Sequence, residues 1–183
     1  MTFKRWLATF LAFPIGGLLA LLVVGSLDDP LSGAVGGLLA GAVIGAGQWL
    51  ALRSSGIGRR WIPYTGAAMA AGTALGAAFT GAGTELEDLM LTSLVAGAAV
   101  GVAQSTLLAR AGLPSAAWTA VTAATWPLGW LATWAVVGIN ADLGFFVFGA
   151  SGALLVTVLT GLALRRMLGA TSDAVLPATT ASA

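Results

Sequence analysis

The sequence predicts an all-α polytopic membrane protein with six transmembrane helices. Both termini are expected in the cytoplasm, and the helices form a pseudo-threefold repeat of hairpins. Three observations carry this prediction. The chain is 58% hydrophobic and 8% charged, whereas about a quarter of the residues in a soluble domain are charged. The two signs of charge alternate between successive connections, and glycine-rich segments recur along the chain.

Six apolar stretches approach or exceed the length of about 20 residues that crosses a bilayer. They cover residues 6–27, 31–52, 62–82, 89–109, 115–138 and 144–164. The first is longer than the core of a secretory signal, which has about 7–15 residues, and we retain it as a helix. Residues 1–168 thus form one transmembrane domain. Residues 169–183, rich in Ala, Thr and Ser, are predicted to be a disordered cytoplasmic tail.

The charges predict the orientation of these spans. Short cytoplasmic loops accumulate Lys and Arg. All 8 basic residues lie at the N-terminus, in alternate connections and after the last span, namely Lys4, Arg5, Arg53, Arg59, Arg60, Arg110, Arg165 and Arg166. The acidic residues lie in the other connections, except for Asp173 in the tail. Both termini are therefore predicted to face the cytoplasm.

The spans also repeat. The second and fourth carry the pattern Gly-x-x-x-Gly-x-x-Gln, ending at Gln48 and Gln104, and Thr160 takes the corresponding place in the sixth. The helices that follow the basic connections match one another as well. The repeating unit is therefore an even-numbered helix followed by an odd-numbered one. Spans 2–3 and 4–5 are complete units, and spans 6 and 1 form the third.

Small residues at four-residue spacing lie on one face of each even-numbered span. This spacing returns to the same side of a helix, and small side chains let helix backbones approach closely. The face serves either as a dimerisation surface or glycine-lined pore, or for packing within the chain. We favour internal packing because all three even-numbered spans share the pattern. The glycines concerned are Gly33, Gly37, Gly41, Gly45, Gly97, Gly101, Gly149 and Gly161.

Gln48, Gln104 and Thr160 are the candidate polar site, near the cytoplasmic boundary. One interpretation is a polar ring that gates a pathway or binds a ligand. The other, which we favour, is an interhelical clasp that ties neighbouring units together. Such hydrogen bonds contribute on average only about 0.6 kcal/mol in a membrane.

The tryptophans fall into two groups. An aromatic belt at the cytoplasmic interface is predicted for the first group, Trp6, Trp49, Trp61 and Trp118. The second group forms a stripe at four-residue spacing on span 5 and comprises Trp126, Trp130 and Trp134. We interpret this stripe as a lipid-facing or partner-facing surface, with contact to a quinone or pigment as the less favoured alternative.

Residue types that the chain lacks bear on its chemistry. It has no Cys and no His, and no charged residue lies inside a predicted span. Proton-coupled carriers and intramembrane proteases rely on such groups. We therefore predict no catalytic residue, no metal ligand, no cofactor and no enzymatic activity. Nucleic-acid binding is not expected either, because topology accounts for the basic residues.

The motif Gln48-Trp49-Leu50-x-Leu52-Arg53, at the end of a glycine-rich span, resembles a group of uncharacterised bacterial multi-pass membrane proteins. The resemblance covers most of spans 2–5 and implies no known activity. The second copy departs from the motif at Ser105-Thr106 and contains one extra residue. The resemblance implies location in the bacterial cytoplasmic (inner) membrane.

The leading hypothesis is a non-enzymatic accessory, scaffold or assembly subunit that acts through helix packing. Its expected partners are membrane lipids and other membrane-protein subunits or further copies of itself. The alternative is a small-solute facilitator or transporter subunit, in which the polar ring lines the pathway.

Overall fold

In the computed structural model, the described residues, 2–113, 115–138 and 148–174, form helices and no strand. A short helix and a 3₁₀ turn, Ala8–Leu11, lead into a longer helix and together form the first span. The helices are α1 (Phe3–Leu7), α2 (Ala12–Val24), α3 (Pro30–Leu52), α4 (Trp61–Thr80), α5 (Leu86–Arg110), α6 (Ala116–Val137) and α7 (Ala150–Ala174).

In the part of the chain that the structure describes, five helical segments are long and apolar enough to cross a membrane, which makes the chain a multi-pass membrane protein. They are Phe3–Val24, Pro30–Ser55, Leu86–Arg110, Ala116–Val137 and Ala150–Gly169. Helix α4 has 20 residues but is rich in Gly, Ala and Thr, which are less hydrophobic than the Leu and Val of its neighbours. It packs between α3 and α5.

The 3₁₀ turn connects α1 to α2, each later helix packs against the next one along the chain, and α1 packs against α7. The first and last described helices therefore meet, and the described helices close into a ring. Helix α7 packs closely against α1 around Trp6, and its contact with α2 is much less extensive. Phe148, just before α7, lies in the gap with its ring 5.9 Å from that of Phe13.

The inner sides of α3, α5 and α7 present matching residues at each level along the bundle. Buried residues recur at the same interval along the sequence, which places similar side chains side by side. The levels are Ala40, Ala96 and Gly152, then Ile44, Val100 and Val156, then Gln48, Gln104 and Thr160, then Leu52, Leu108 and Leu164. The last level lies at the end of the bundle that carries the basic residues, which we call the basic end.

Local signals set the helix boundaries. Asp29 caps α3 by accepting a hydrogen bond from the Ser32 backbone N–H at 2.7 Å, and Pro30 occupies the first helical turn. This backbone hydrogen bond lowers the pKa of the Asp29 carboxyl. Gly25 ends α2 with a φ of 74°, a conformation that favours glycine. The first span therefore ends at Val24, before the predicted residue Leu27.

The 3₁₀ turn of the first span compensates for one residue that this span lacks relative to α4. Trp6 precedes Gly16 by one residue fewer than Trp61 precedes Gly72. The 3₁₀ turn contains 4 residues. Over that length, tighter winding adds about 80° of rotation and about 2 Å of rise relative to an α-helix. One α-helical residue contributes about 100° and about 1.5 Å, so the turn nearly compensates for its loss.

The last helix departs most from its predicted bounds. It begins at Ala150, and Phe148 and Gly149 precede it in non-helical conformation, whereas the predicted span begins at residue 144. It continues past Leu164 to Ala174, into the predicted tail. Residues 144–147 of the predicted sixth span and the rest of the tail lie outside the described residues.

Candidate functional site: a buried tryptophan and glutamine network

Three tryptophans from three different spans meet inside the basic end of the bundle. Trp6 and Trp61 are 0% exposed and Trp118 is 1% exposed. The rings of Trp6 and Trp118 stand edge to face with centroids 6.1 Å apart. A buried indole N–H needs an acceptor, because an unpaired donor is costly where water is excluded.

Each indole N–H donates to an oxygen of the neighbouring even-numbered span, at the level of Gln48, Gln104 and Thr160, which we call the polar level. Trp61 Nε1 donates to Gln48 Oε1 at 3.0 Å, and Trp118 Nε1 donates to Gln104 Oε1 at 2.9 Å. Because an indole nitrogen can only donate, these contacts orient the oxygen of each glutamine amide towards its tryptophan. Spans 2–3 and spans 4–5 are therefore each joined by a Gln–Trp hydrogen bond.

The two glutamines are also joined directly. Gln104 Nε2 donates to Gln48 Oε1 at 2.9 Å and to Thr65 Oγ1 at 3.0 Å. The Thr65 hydroxyl donates in turn to the Trp61 carbonyl at 2.8 Å. Gln104 thus uses its oxygen and both amide hydrogens on three different residues. The resulting network runs across α3, α4, α5 and α6.

Thr160 belongs to a separate pair. It accepts from Trp6 Nε1 at 3.3 Å, and the same indole donates to the Thr157 carbonyl at 3.1 Å. The Thr160 hydroxyl donates to the Val156 carbonyl within its own helix at 2.7 Å. The hydrogen bonds described therefore join Gln48 to Gln104, whereas Thr160 bonds to Trp6 and its own helix.

Apolar side chains fill the bundle axis beyond the polar level. A cavity of about 30 Å³ remains there, lined by residues that include Phe13, Ile44, Met69, Trp126, Trp130 and Phe148. This volume is close to that of one water molecule, and an apolar cavity offers water no hydrogen-bond partners. The axis therefore holds packed side chains on one side of the network and buried indoles on the other.

The tryptophan stripe of span 5 needs a correction. Trp126 and Trp130 are 5% and 3% exposed and line the axial cavity, whereas Trp134 is 49% exposed. The interpretation as one lipid-facing or partner-facing stripe is wrong for the first two residues. Their rings pack against Phe13 and Phe148 in the core. Both rings therefore belong to the apolar core rather than to the outer surface.

All eight candidate glycines face another helix of the same chain. A Cβ on Gly41 would lie 2.5 Å from Met69 Cβ and 2.9 Å from the Thr65 carbonyl oxygen. Such distances leave no room for a side chain. The remaining glycines meet partners on α4, α6 or α1, and these are Gly33, Gly37, Gly45, Gly97, Gly101, Gly149 and Gly161.

The aromatic belt predicted for the basic end is also corrected. Trp6, Trp61 and Trp118 point into the bundle, and Trp49 alone of the four is half-buried, with the Arg59 guanidinium 5.4 Å above its ring. The repeated placement of a tryptophan after each basic connection was the signal for the burial of these rings. A buried residue needs a fixed position in each repeat, whereas a residue that anchors at an interface does not. The role of Thr65 in the network was not predicted.

The network can hold helices together, and its groups are neutral: indoles, amides and hydroxyls carry no charge in the physiological range. Comparisons with protein-family models, with curated proteins and with solved structures each found no match.

Proposed function

We propose that this chain is a non-enzymatic membrane subunit that acts through helix packing, as an accessory, scaffold or assembly component of a larger membrane complex. The observation that carries the proposal is the use of the interior for packing. Three indoles, two amides and the cavity-lining aromatic residues occupy the axis. Functional polar groups in membrane proteins usually face a cavity or a pathway instead.

The proposal includes six spans with both termini in the cytoplasm of a bacterium, within its inner membrane. Support comes from the sorting of Lys and Arg to one end and from the matched levels of α3, α5 and α7. The pseudo-threefold arrangement of helical pairs is supported by the three tryptophans, each of which bonds to the even-numbered span of its own pair. The resemblance to bacterial multi-pass proteins with Gln-Trp-Leu-x-Leu-Arg motifs belongs to the same proposal.

The alternative, a small-solute facilitator, has less support. A polar pathway along the axis requires Gln48 and Gln104 to face open space, whereas they bond to each other and to indoles. Flux assays on liposomes that contain the purified chain address this alternative. We expect no more leakage of small neutral solutes than in empty liposomes, and saturable flux abolished by Gln48→Leu would favour the facilitator.

The subunit role is tested by extraction of the tagged chain into lipid nanodiscs directly from its native membrane. We expect a partner protein in fixed ratio to the chain. Trp134→Ala removes an aromatic side chain that is 49% exposed, and we expect it to reduce partner recovery. Leu22→Ala, at a side chain that is 75% exposed, is the matched control. Repeated recovery of the chain alone, without any partner, would contradict the proposal.

A further inference from the structure

A groove of about 450 Å³ lies between the first span and α3, near the basic end of the bundle. Its lining includes Arg5, Thr9, Leu11, Ile15 and Leu50. We propose that this groove binds one anionic phospholipid from the surrounding membrane. Arg5 holds the phosphate, and the apolar wall holds the upper part of an acyl chain. This inference requires only that the chain spans a membrane, and it is independent of the proposed subunit role.

At the corresponding junction between α4 and α5, the threonine hydroxyl is paired within the protein. There, Gln104 Nε2 donates to the hydroxyl of Thr65, which donates to the carbonyl of Trp61. Thr9 takes the place of Thr65 in the first span, and Gln48 that of Gln104 in α3. Among the described residues the buried Thr9 hydroxyl has no hydrogen-bond partner, and the residue is only 5% exposed. Thr9 is thus the unpaired counterpart of a paired threonine.

The unpaired hydroxyl indicates a polar ligand atom. Burying a hydroxyl without a hydrogen bond is costly, so native proteins rarely leave one unpaired. The neighbouring groove can supply the missing partner, because a phospholipid carries ester carbonyl oxygens just below its phosphate. Thr9 belongs to the groove lining, and rotation about its Cα–Cβ bond would bring the covered hydroxyl to such an oxygen.

Charge and apolar surface lie in the order that a phospholipid requires. Arg5 is exposed one turn before Thr9, and a guanidinium binds phosphate through paired hydrogen bonds. Leu11 and Ile15 follow towards the middle of the bundle and are 52% and 59% exposed. From Arg5 to Ile15 the groove therefore changes from basic to polar to apolar, as a lipid changes from phosphate to ester to acyl chain.

The test is native mass spectrometry of the detergent-purified chain, titrated with phosphatidylglycerol or with zwitterionic phosphatidylcholine of the same acyl chains. We expect one phosphatidylglycerol to bind more tightly than any phosphatidylcholine. Arg5→Gln should weaken binding about fivefold, the effect of one basic residue near a phosphate. Lys4→Gln is the matched control, because Lys4 is adjacent but lies outside the groove lining, and it should change binding less than twofold.

Two further variants separate the groove from general attraction by the basic end. Ala8 is exposed and lines the groove, so Ala8→Trp should fill it and remove the tightly bound lipid. Leu22→Trp adds the same ring elsewhere on the exposed apolar surface and should leave binding unchanged. Thr9→Val should weaken binding while preserving the thermal stability of the lipid-free chain. Equal binding of both lipids, equal losses from Arg5→Gln and Lys4→Gln, or a full lipid complement on the Ala8→Trp variant would overturn the proposal.

Discussion

At the scale of single residues, the bundle depends on a few amide and indole groups that have few alternative hydrogen-bond partners. Gln104 bonds to Gln48, Thr65 and Trp118 through three hydrogen bonds between side chains. Thr160 is less critical, because Trp6 Nε1 also donates to a backbone carbonyl. The two residues occupy matching levels in the fold but differ in how many donors and acceptors their loss leaves unpaired.

This difference predicts unequal effects of removing the two polar groups. Gln104→Leu should lower the free energy of unfolding by about 2 kcal/mol, from three hydrogen bonds of about 0.6 kcal/mol each. Thr160→Val should cost about 0.6 kcal/mol or less, because Trp6 keeps an acceptor. Reversible unfolding in mixed detergent micelles, followed by tryptophan fluorescence, measures both. Thr106→Val is the control, since the Thr106 hydroxyl is exposed and bonds within its own helix. Equal losses for Gln104→Leu and Thr160→Val would contradict this interpretation.

At the scale of helices, close approach replaces the hydrophobic effect as the main source of association. Gly41 lets α3 lie against α4 at Met69 and Thr65. Close approach at a glycine also occurs between one helical pair and the next. Gly16 lies beside Ala40, and Gly72 lies beside Ala96, where added Cβ atoms would come within 2.9 Å and 2.5 Å of the neighbouring backbone. Dispersion between close backbones then holds helices together in a solvent as apolar as their side chains.

A side chain at one of these contacts should therefore force the helices apart. Gly41→Val is expected to destabilise the fold by about 1–3 kcal/mol, as overpacking does elsewhere. Gly58→Ala is the matched control, because a Cβ on Gly58 would meet nothing within 4 Å. Unfolding in mixed micelles compares the two. A Gly41→Val chain as stable as Gly58→Ala would show that close packing at this contact is not needed.

The 3₁₀ turn of the first span makes a second prediction about helices. One alanine inserted between Ala8 and Thr9 should allow the turn to become α-helical while Trp6 and Gly16 keep their contacts. One alanine inserted between Ala70 and Ala71 should be far more harmful, because it rotates the rest of α4 by about 100°. The thermal stabilities of the two insertion variants test this directly. Similar losses in both would mean that the 3₁₀ turn does not compensate for a missing residue.

At the scale of the whole molecule, hydropathy and small-residue spacing carried much of the helical prediction. The apolar stretches correspond to helices, and the boundaries differ mainly near Gly25 and at α7. Inward and outward faces were harder to predict. Trp126 and Trp134 look alike in sequence, but only the first meets Phe13 across the axis. The four-residue spacing of side chains does not distinguish the lipid-facing side of a membrane helix from the protein-facing side, because both sides are apolar.

The candidate site followed the same pattern. The sequence predicted Gln48, Gln104 and Thr160 as a polar ring or an interhelical clasp. The two glutamines bond to each other, whereas Thr160 bonds to Trp6 and to its own helix. Their indole partners and Thr65 were not predicted, because these contacts depend on how neighbouring helices cross. The α4 segment is also less apolar than the others, and its place in the bundle depends on α3 and α5 rather than on its own hydropathy.

The central claim is that the bilayer sorts this chain into six spans with the basic end in the cytoplasm. The chain has no cysteine, so single cysteines report position without background. Gly58→Cys and Glu85→Cys place exposed thiols at opposite ends and keep every basic residue. The loss of an acidic residue should not alter topology, because acidic residues contribute little to orientation. In intact spheroplasts, a membrane-impermeant maleimide should label residue 85 at once and residue 58 only after permeabilisation. Labelling of residue 58 in intact spheroplasts, or protection of residue 85, would contradict the account.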